Sequence, residues 1–176
     1  MRFTETAIPG VIIVDVEPRA DERGSFIRAF CPAEFAAAGI DFSSTQVNIA
    51  RNTRRHTLRG MHHKIPGLEE AKFVRCVRGV IFDVAVDLRP DSPAFRQWVG
   101  VELNETSMRA LFIPEGCSHG YLTLADDTDV LYHMSRPFNP EGDAGVRWDD
   151  PAFAIEWPAA PQVINRRDAT YPDFEG

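Results

Sequence analysis

The chain has 176 residues, 44% of them hydrophobic, enough for one domain over residues 1–176 that buries most of its apolar surface and too few for two. A formal net charge of -7 sets the overall field against nucleic acid or an anionic membrane as the main partner, so an anionic small ligand needs local arginines. The opening Met1-Arg2-Phe3-Thr4-Glu5 is not a basic stretch leading into an apolar core, and no segment approaches bilayer-spanning length, so the cytoplasm is the expected location.

Along the chain, β-branched and aromatic runs recur: Val11 to Val16, Ser25 to Phe30, Thr45 to Arg51, Thr57 to His62, Lys72 to Val77, Val80 to Leu88, Phe95 to Leu103, Arg109 to Ile113, Gly120 to Leu124 and Asp129 to Met134. Many short strands at such spacing indicate an all-β sandwich or barrel. Gly10, Gly24, Gly79 and Gly116, with Pro18, Pro66, Pro90 and Pro114, supply the turns. Helix is scarce: Pro32 to Ala38 predicts one short helix, with proline in its first turn and Gly39 past its end. From Phe138 the tail is rich in Pro, Asp, Trp and Gly and is expected to be irregular, packed across the sandwich. Cys31, Cys76 and Cys117 stand at wide, unrelated spacings, which suits neither a disulfide framework nor a zinc site. They are expected as reduced thiols, the last two packed as small hydrophobes.

The run from Thr57 to Arg89 sets His, Lys, Arg and Asp inside apolar strand-like segments. Buried ionisable groups are tolerated where one strand face lines a polar cavity, so this run is expected to floor an active site. His62 and His63, with Glu69 or Glu70 and a later Pro114-Glu115-Gly116-Cys117-Ser118-His119, loosely resemble the ligands of metal-binding cupin barrels. Adjacent strand residues point to opposite faces, however, so only one of the pair, with His119, faces one cavity easily. Acid–base chemistry fits better. A neutral imidazole is a competent base when a carboxylate fixes its tautomer, and Asp83 or Asp168 could do so. Tyr132 offers a phenol to the other side of a substrate, and Lys72 an ammonium for an oxyanion. Arg23 and Arg59 each lie beside a glycine, which lets the backbone bring a guanidinium to phosphate. Strict alternation places Arg59 and His62 on opposite faces, so a shared site requires a bulge near Gly60.

Arg23-Gly24-x-Phe26, Gln46-x-Asn48, Leu58-Arg59-Gly60-Met61-His62, Lys72-Phe73-Val74-Arg75, Phe82-Asp83-Val84-Ala85-Val86-Asp87-Leu88-Arg89, Ile113-Pro114-x-Gly116-x-x-His119-Gly120, Leu131-Tyr132 and Trp148-Asp149-Asp150-Pro151 stand in one order. This series resembles the dTDP-4-dehydrorhamnose 3,5-epimerase family from about Asp21 to Asp168. The resemblance implies a cupin-type antiparallel β-sandwich or jelly roll with a few short helices, a homodimer, no metal and no cofactor. It implies a nucleotide-diphosphate 4-keto-6-deoxyhexose as substrate, epimerised at C3, C5 or both through an enolate in deoxysugar biosynthesis. By similarity His62 is the base, paired with Asp168; Lys72 stabilises the enolate and Tyr132 is the opposing acid. Arg23 and Arg59 hold the diphosphate, Gln46, Asn48 and His119 line the sugar site, and Phe138 stacks on the base. Phe26 and Asp83 join the substrate site as motif members.

Some positions depart from the family pattern. His63-Lys64 replaces an aromatic residue and glutamine, Glu70-Ala71 replaces Gln-Gly, Cys117-Ser118 replaces Phe-Ala, and the closing Ser-x-Lys-Asp reads Asn165-Arg166-Arg167-Asp168. An aromatic residue common before the Asp21 turn is missing, and Arg28 stands where a glutamate is usual. Arginine cannot accept from a thymine imide, so altered base recognition is expected, with cytosine worth testing. A 3,4-ketoisomerase, a silent sugar-nucleotide-binding cupin and, more distantly, a metal-dependent oxygenase are the competing readings.

Overall fold

The computed structural model describes residues 1–176, and each predicted strand run contains a strand. The elements are β1 (Arg2–Glu5), β2 (Ile12–Asp15), β3 (Arg19–Asp21), β4 (Gly24–Phe26), α1 (Pro32–Ala37), β5 (Gln46–Asn52), β6 (Thr57–Lys64), β7 (Lys72–Arg78) and β8 (Val80–Asp87). They continue with β9 (Trp98–Asn104), β10 (Ala110–Ile113), β11 (Cys117–Thr123), β12 (Thr128–Met134), a 3₁₀ turn (Pro140–Gly142), β13 (Asp143–Gly145), β14 (Val163–Ile164) and α2 (Arg166–Ala169). Some bounds differ from the periodicity. The strand expected over Ser25 to Phe30 ends at Phe26, and the one expected from Phe95 begins at Trp98. There the Arg96 N–H donates to the Asp87 carbonyl at 2.9 Å and turns the chain before pairing starts. The expected irregular tail holds β13, β14 and α2, each too short to show a period.

Two antiparallel sheets face each other, in the strand orders β1-β2-β10-β7-β12-β5 and β13-β6-β11-β8-β9. β14 adds to β6 in parallel, and β3 pairs with β4 as a separate hairpin. Alternation assigns the faces. On β7, Val74 and Cys76 point between the sheets while Phe73 points away; on β8, Ile81 and Ala85 point inward and Val84 and Val86 outward. The inner core, with Leu103, Leu111, Ile113, Tyr121 and Val130, is the sandwich filling. α1 has only six residues, too few to persist alone, and Phe35 fixes it. That ring is fully buried among Phe3, Phe30, Phe42, Phe73 and Phe112, a burial worth about 2–3 kcal/mol. The tail covers the opposite face, where Ile155, Trp157 and Phe174 pack on Met61, Val84, Val86 and Phe153. One end of the interior is thus left to polar residues on β5, β6, β7, β11 and β12.

Candidate active site

β6 and β11 run in register at His62↔His119 and again at Tyr121↔Arg59, so three steps on β6 oppose two on β11. This is the bulge that a shared site requires, and it turns Arg59 and His62 to the same inner face. Gly60, at φ +126°, makes it possible: a Cβ there would lie 2.5 Å from Gly120 Cα and 2.8 Å from the His119 carbonyl oxygen. His63 points the other way, where its Nδ1 lies 3.3 Å from Ser118 Oγ.

His62 Nε2 lies 2.8 Å from Asp168 Oδ1, and the other carboxylate oxygen accepts the Gly60 N–H at 3.0 Å. Asp168 is fully buried, on the short helix α2, which Asn165 caps by accepting the Asp168 N–H at 2.7 Å. Burial alone would raise its pKa; the His62 hydrogen bond, the Gly60 N–H and the charges of His62 and Arg167 outweigh that and hold the carboxyl below its ordinary value. An ionised Asp168 accepts from Nε2–H, which leaves the Nδ1 lone pair of His62 free to take a proton. Arg167 Nη2 stands 3.3 Å from Nε2 and its Nε 3.5 Å from Asp168 Oδ1. In that tautomer the guanidinium serves the carboxylate.

His62, Lys72 and Tyr132 line two cavities that meet at them. The larger, about 430 Å³, is completed by Gln46, Asn48, Lys64, Glu70, Met134, Phe138, Asp143, Ala144 and Arg167. The smaller, about 150 Å³, is completed by Ala50, Arg59, His119 and Tyr121. Lys72 is buried, with its ammonium 3.7 Å from Glu70 and 3.4 Å from the His62 carbonyl oxygen. Burial lowers its pKa, against the opposing charge of Glu70. Burial raises that of Tyr132, which keeps its phenol proton well above neutral pH. Arg59 is oriented by donating to Asn52 Oδ1 at 2.8 Å and to the Arg51 carbonyl at 3.3 Å.

Of the residues expected at the site, His62, Lys72, Tyr132, Gln46, Asn48, Arg59, His119 and Phe138 therefore line one connected space, with Asp168 behind His62. Asp83 lines neither cavity. It is fully buried behind His119, whose Nε2 lies 2.7 Å from its Oδ1, so of its two expected roles it fills that of a carboxylate orienting an imidazole, here His119, and not that of substrate contact. Arg23 and Phe26 also lie apart, on the exposed β3–β4 hairpin, where Asp21 holds the Arg23 guanidinium. Lys64, Asp143 and Arg167 line the larger cavity without having been expected there, and Glu70, considered only beside a metal, joins them. Lys64 was legible: two residues past His62 on one strand, it shares that face. No group of three or more His, Cys, Asp or Glu side chains converges as metal ligands would.

A cupin-type antiparallel sandwich that keeps a carboxylate-held histidine, a buried lysine and a tyrosine in its interior is the framework of a proton-transfer site. The family model described as dTDP-4-dehydrorhamnose 3,5-epimerase matches residues 5–176, and the chain belongs to that family. A dTDP-4-dehydrorhamnose 3,5-epimerase of Methanothermobacter thermautotrophicus is 42% identical over 157 residues, covering 89% of this chain and 84% of that protein. A dTDP-4-dehydrorhamnose 3-epimerase of Streptomyces niveus is 37% identical, covering 96% and 81%. The crystal structure of the Bacillus anthracis dTDP-4-dehydrorhamnose 3,5-epimerase with TDP and PPi bound superposes with a TM-score of 0.95 at 31% identity, covering 98% of this chain and 99% of that one.

Proposed function

We propose that this protein epimerises a thymidine-diphosphate-linked 4-keto-6-deoxyhexose at C3 and C5 through an enolate. The carrying observation is the lining of one cavity by His62, Lys72 and Tyr132, with Asp168 fixing the His62 tautomer. The C4 ketone acidifies the hydrogens on C3 and C5. His62 Nδ1 takes one as a proton, the electron pair moves onto the carbonyl oxygen, and the Lys72 ammonium stabilises the oxyanion. Tyr132 then returns a proton to the opposite face of the same carbon, which inverts it; the phenolate regains its proton from water and the imidazolium releases one. Gln46, Asn48 and His119 hold the sugar, Arg59 the diphosphate, and Phe138 the base.

The reading takes in a homodimer. Phe26 is 73% exposed on the β3–β4 hairpin, and on edge strand β5 Val47 and Ile49 are 52% and 60% exposed on the face opposite Gln46 and Asn48. A second copy covering that edge can lay its hairpin over the cavity mouth and bring an arginine and a phenylalanine to the nucleotide. Arg28 is occupied by Glu34 at 2.7 Å, so cytidine and thymidine nucleotides merit direct comparison. Three free cysteines are in keeping with a cytoplasmic location, and no helix is long and apolar enough to cross a membrane.

The test is incubation with 4-keto-6-deoxyglucose on thymidine and on cytidine diphosphate, with product configuration read by NMR. Inversion at C3 and C5 on the thymidine nucleotide is expected. A product inverted only at C3, as the name of the Streptomyces niveus relative describes, would narrow the reaction, and a ketone moved to C3 would replace it by ketoisomerisation.

A further inference from the structure

Lys64 closes β6, and its side chain is only 5% exposed. A buried ammonium needs partners, and it finds them on a single segment. It donates to the Asn139 carbonyl at 2.6 Å and to the Asp143 carboxylate, and it stands 5.2 Å from the centroid of the Phe138 ring. The chain at Gly142 folds onto its stem: a Cβ at 142 would lie 3.5 Å from Lys64 Cδ and 2.9 Å from Leu68. Residues 138–143 are therefore wrapped around one cation. Their remaining ties are few: Phe138 N–H to Gln46 Oε1 at 2.9 Å, Ile65 N–H to the Gly142 carbonyl at 3.0 Å, Asp143 to Arg167 at 3.6 Å, and the short pairing of β13 with β6. Phe138, held on its inner side by the ammonium, is still 63% exposed at the mouth of the larger cavity.

We infer that Lys64 is a positioning residue that fixes the Phe138 ring as a platform for the nucleobase. The inference rests on the sugar-nucleotide reading. An ammonium against one face of an aromatic ring is attracted by its quadrupole, which leaves the other face for a flat ligand. With the carbonyl of Asn139 and the carboxylate of Asp143 held by the same cation, ring and backbone are set together and the ordering entropy is spent before the ligand arrives. Without the cation, the Asn139 carbonyl loses its donor and the segment keeps only its edge contacts. Asp143 still has Arg167 at 3.6 Å, so the loss need not unfold the site.

The experiment compares thymidine 5′-diphosphate, which has a base, with inorganic pyrophosphate, which has none, by calorimetry. Lys64→Met is expected to weaken thymidine diphosphate roughly tenfold while pyrophosphate changes by less than about threefold, because only the first ligand stacks. Lys64→Arg, which keeps a cation over the ring, restores most of the loss. In turnover K64M raises KM more than it lowers kcat. Should K64M fail to fold, D143A removes the carboxylate that Lys64 donates to and is read by the same two titrations. Equal weakening of both ligands would mean that Lys64 touches the anion, and no weakening of either that the ring needs no support; each overturns the inference. Failure of the unaltered protein to bind thymidine diphosphate would remove the sugar-nucleotide reading itself, before any Lys64 variant is made.

Discussion

Asp168→Asn is the most informative single change. The carboxylate is fully buried and accepts from two donors, His62 Nε2–H at 2.8 Å and Gly60 N–H at 3.0 Å. An amide of the same shape has one accepting oxygen. If that oxygen serves Gly60, its NH₂ faces His62 Nε2 and makes that nitrogen the acceptor. The ring proton then sits on Nδ1, the atom that must take a proton from substrate. The same carboxylate-to-amide exchange in a serine-protease triad lowers kcat by about 10⁴ through the wrong tautomer. A loss of roughly 10³ to 10⁴, or about 4–5.5 kcal/mol of barrier, is expected here. Folding suffers less, because the volume and both hydrogen bonds remain in neutral form: about 2 kcal/mol for the lost charge assistance, or roughly 4–8 °C in Tm. The assay is the initial rate of deuterium incorporation from heavy water, read by mass spectrometry, beside a thermal melt. A folded D168N that keeps more than about a tenth of the wild-type rate would refute tautomer control by this carboxylate.

Tyr132→Phe removes the acid while leaving the base, so net inversion is expected to fall by at least about 10² whereas deuterium exchange at the abstracted position persists; equal loss of both would assign Tyr132 another role. Burial lowers the Lys72 pKa, so the ammonium is lost as pH rises through a value below that of free lysine, and kcat should fall there. Lys72→Arg, whose charge does not titrate in that range, should move the alkaline limb upward, and an unmoved limb would contradict this. Burial pushes the His63 imidazole down to about 4 from 6.5, so the unfolded chain binds a proton that the fold rejects between those values. Stability is full above that window and falls by about 1–2 kcal/mol as pH drops through it, after discounting for partial exposure. His63→Gln should flatten the dependence in denaturant melts at pH 7 and pH 4.5. Gly60→Ala meets strain at φ +126° and a backbone 2.5 Å away, so about 3 kcal/mol or more is expected, with a Tm loss of roughly 6–12 °C; an unchanged Tm would argue against the tight bulge.

The sandwich is legible in the recurrence of short β-branched and aromatic runs. Which face each residue takes is not: Val74 and Cys76 against Phe73, and Ile81 and Ala85 against Val84 and Val86, are apolar on both sides, so only the packed sheets separate them. The bulge at Gly60 followed from the requirement that Arg59 and His62 share a face, which period two forbids. α2 was missed because four residues show no helical period, although the Asn165 cap is a readable start signal. Asp83 is legible as a carboxylate for an imidazole, but not as to which one it serves. Its inward direction is set by register, but whether an inward carboxylate meets ligand or a neighbouring imidazole depends on the strand beside it, which a linear pattern does not identify. Phe26 rests on motif and Arg23 on its neighbouring glycine as well, and the hairpin that carries them has no burial pattern to say what it covers.

The most direct measurement follows the unaltered protein with thymidine-diphospho-4-keto-6-deoxyglucose in heavy water and reads deuterium position by position in the product by NMR. Deuterium at both C3 and C5 with inverted configuration is expected from an enolate formed and quenched between His62 and Tyr132. A bound substrate that gains deuterium at neither carbon would contradict it.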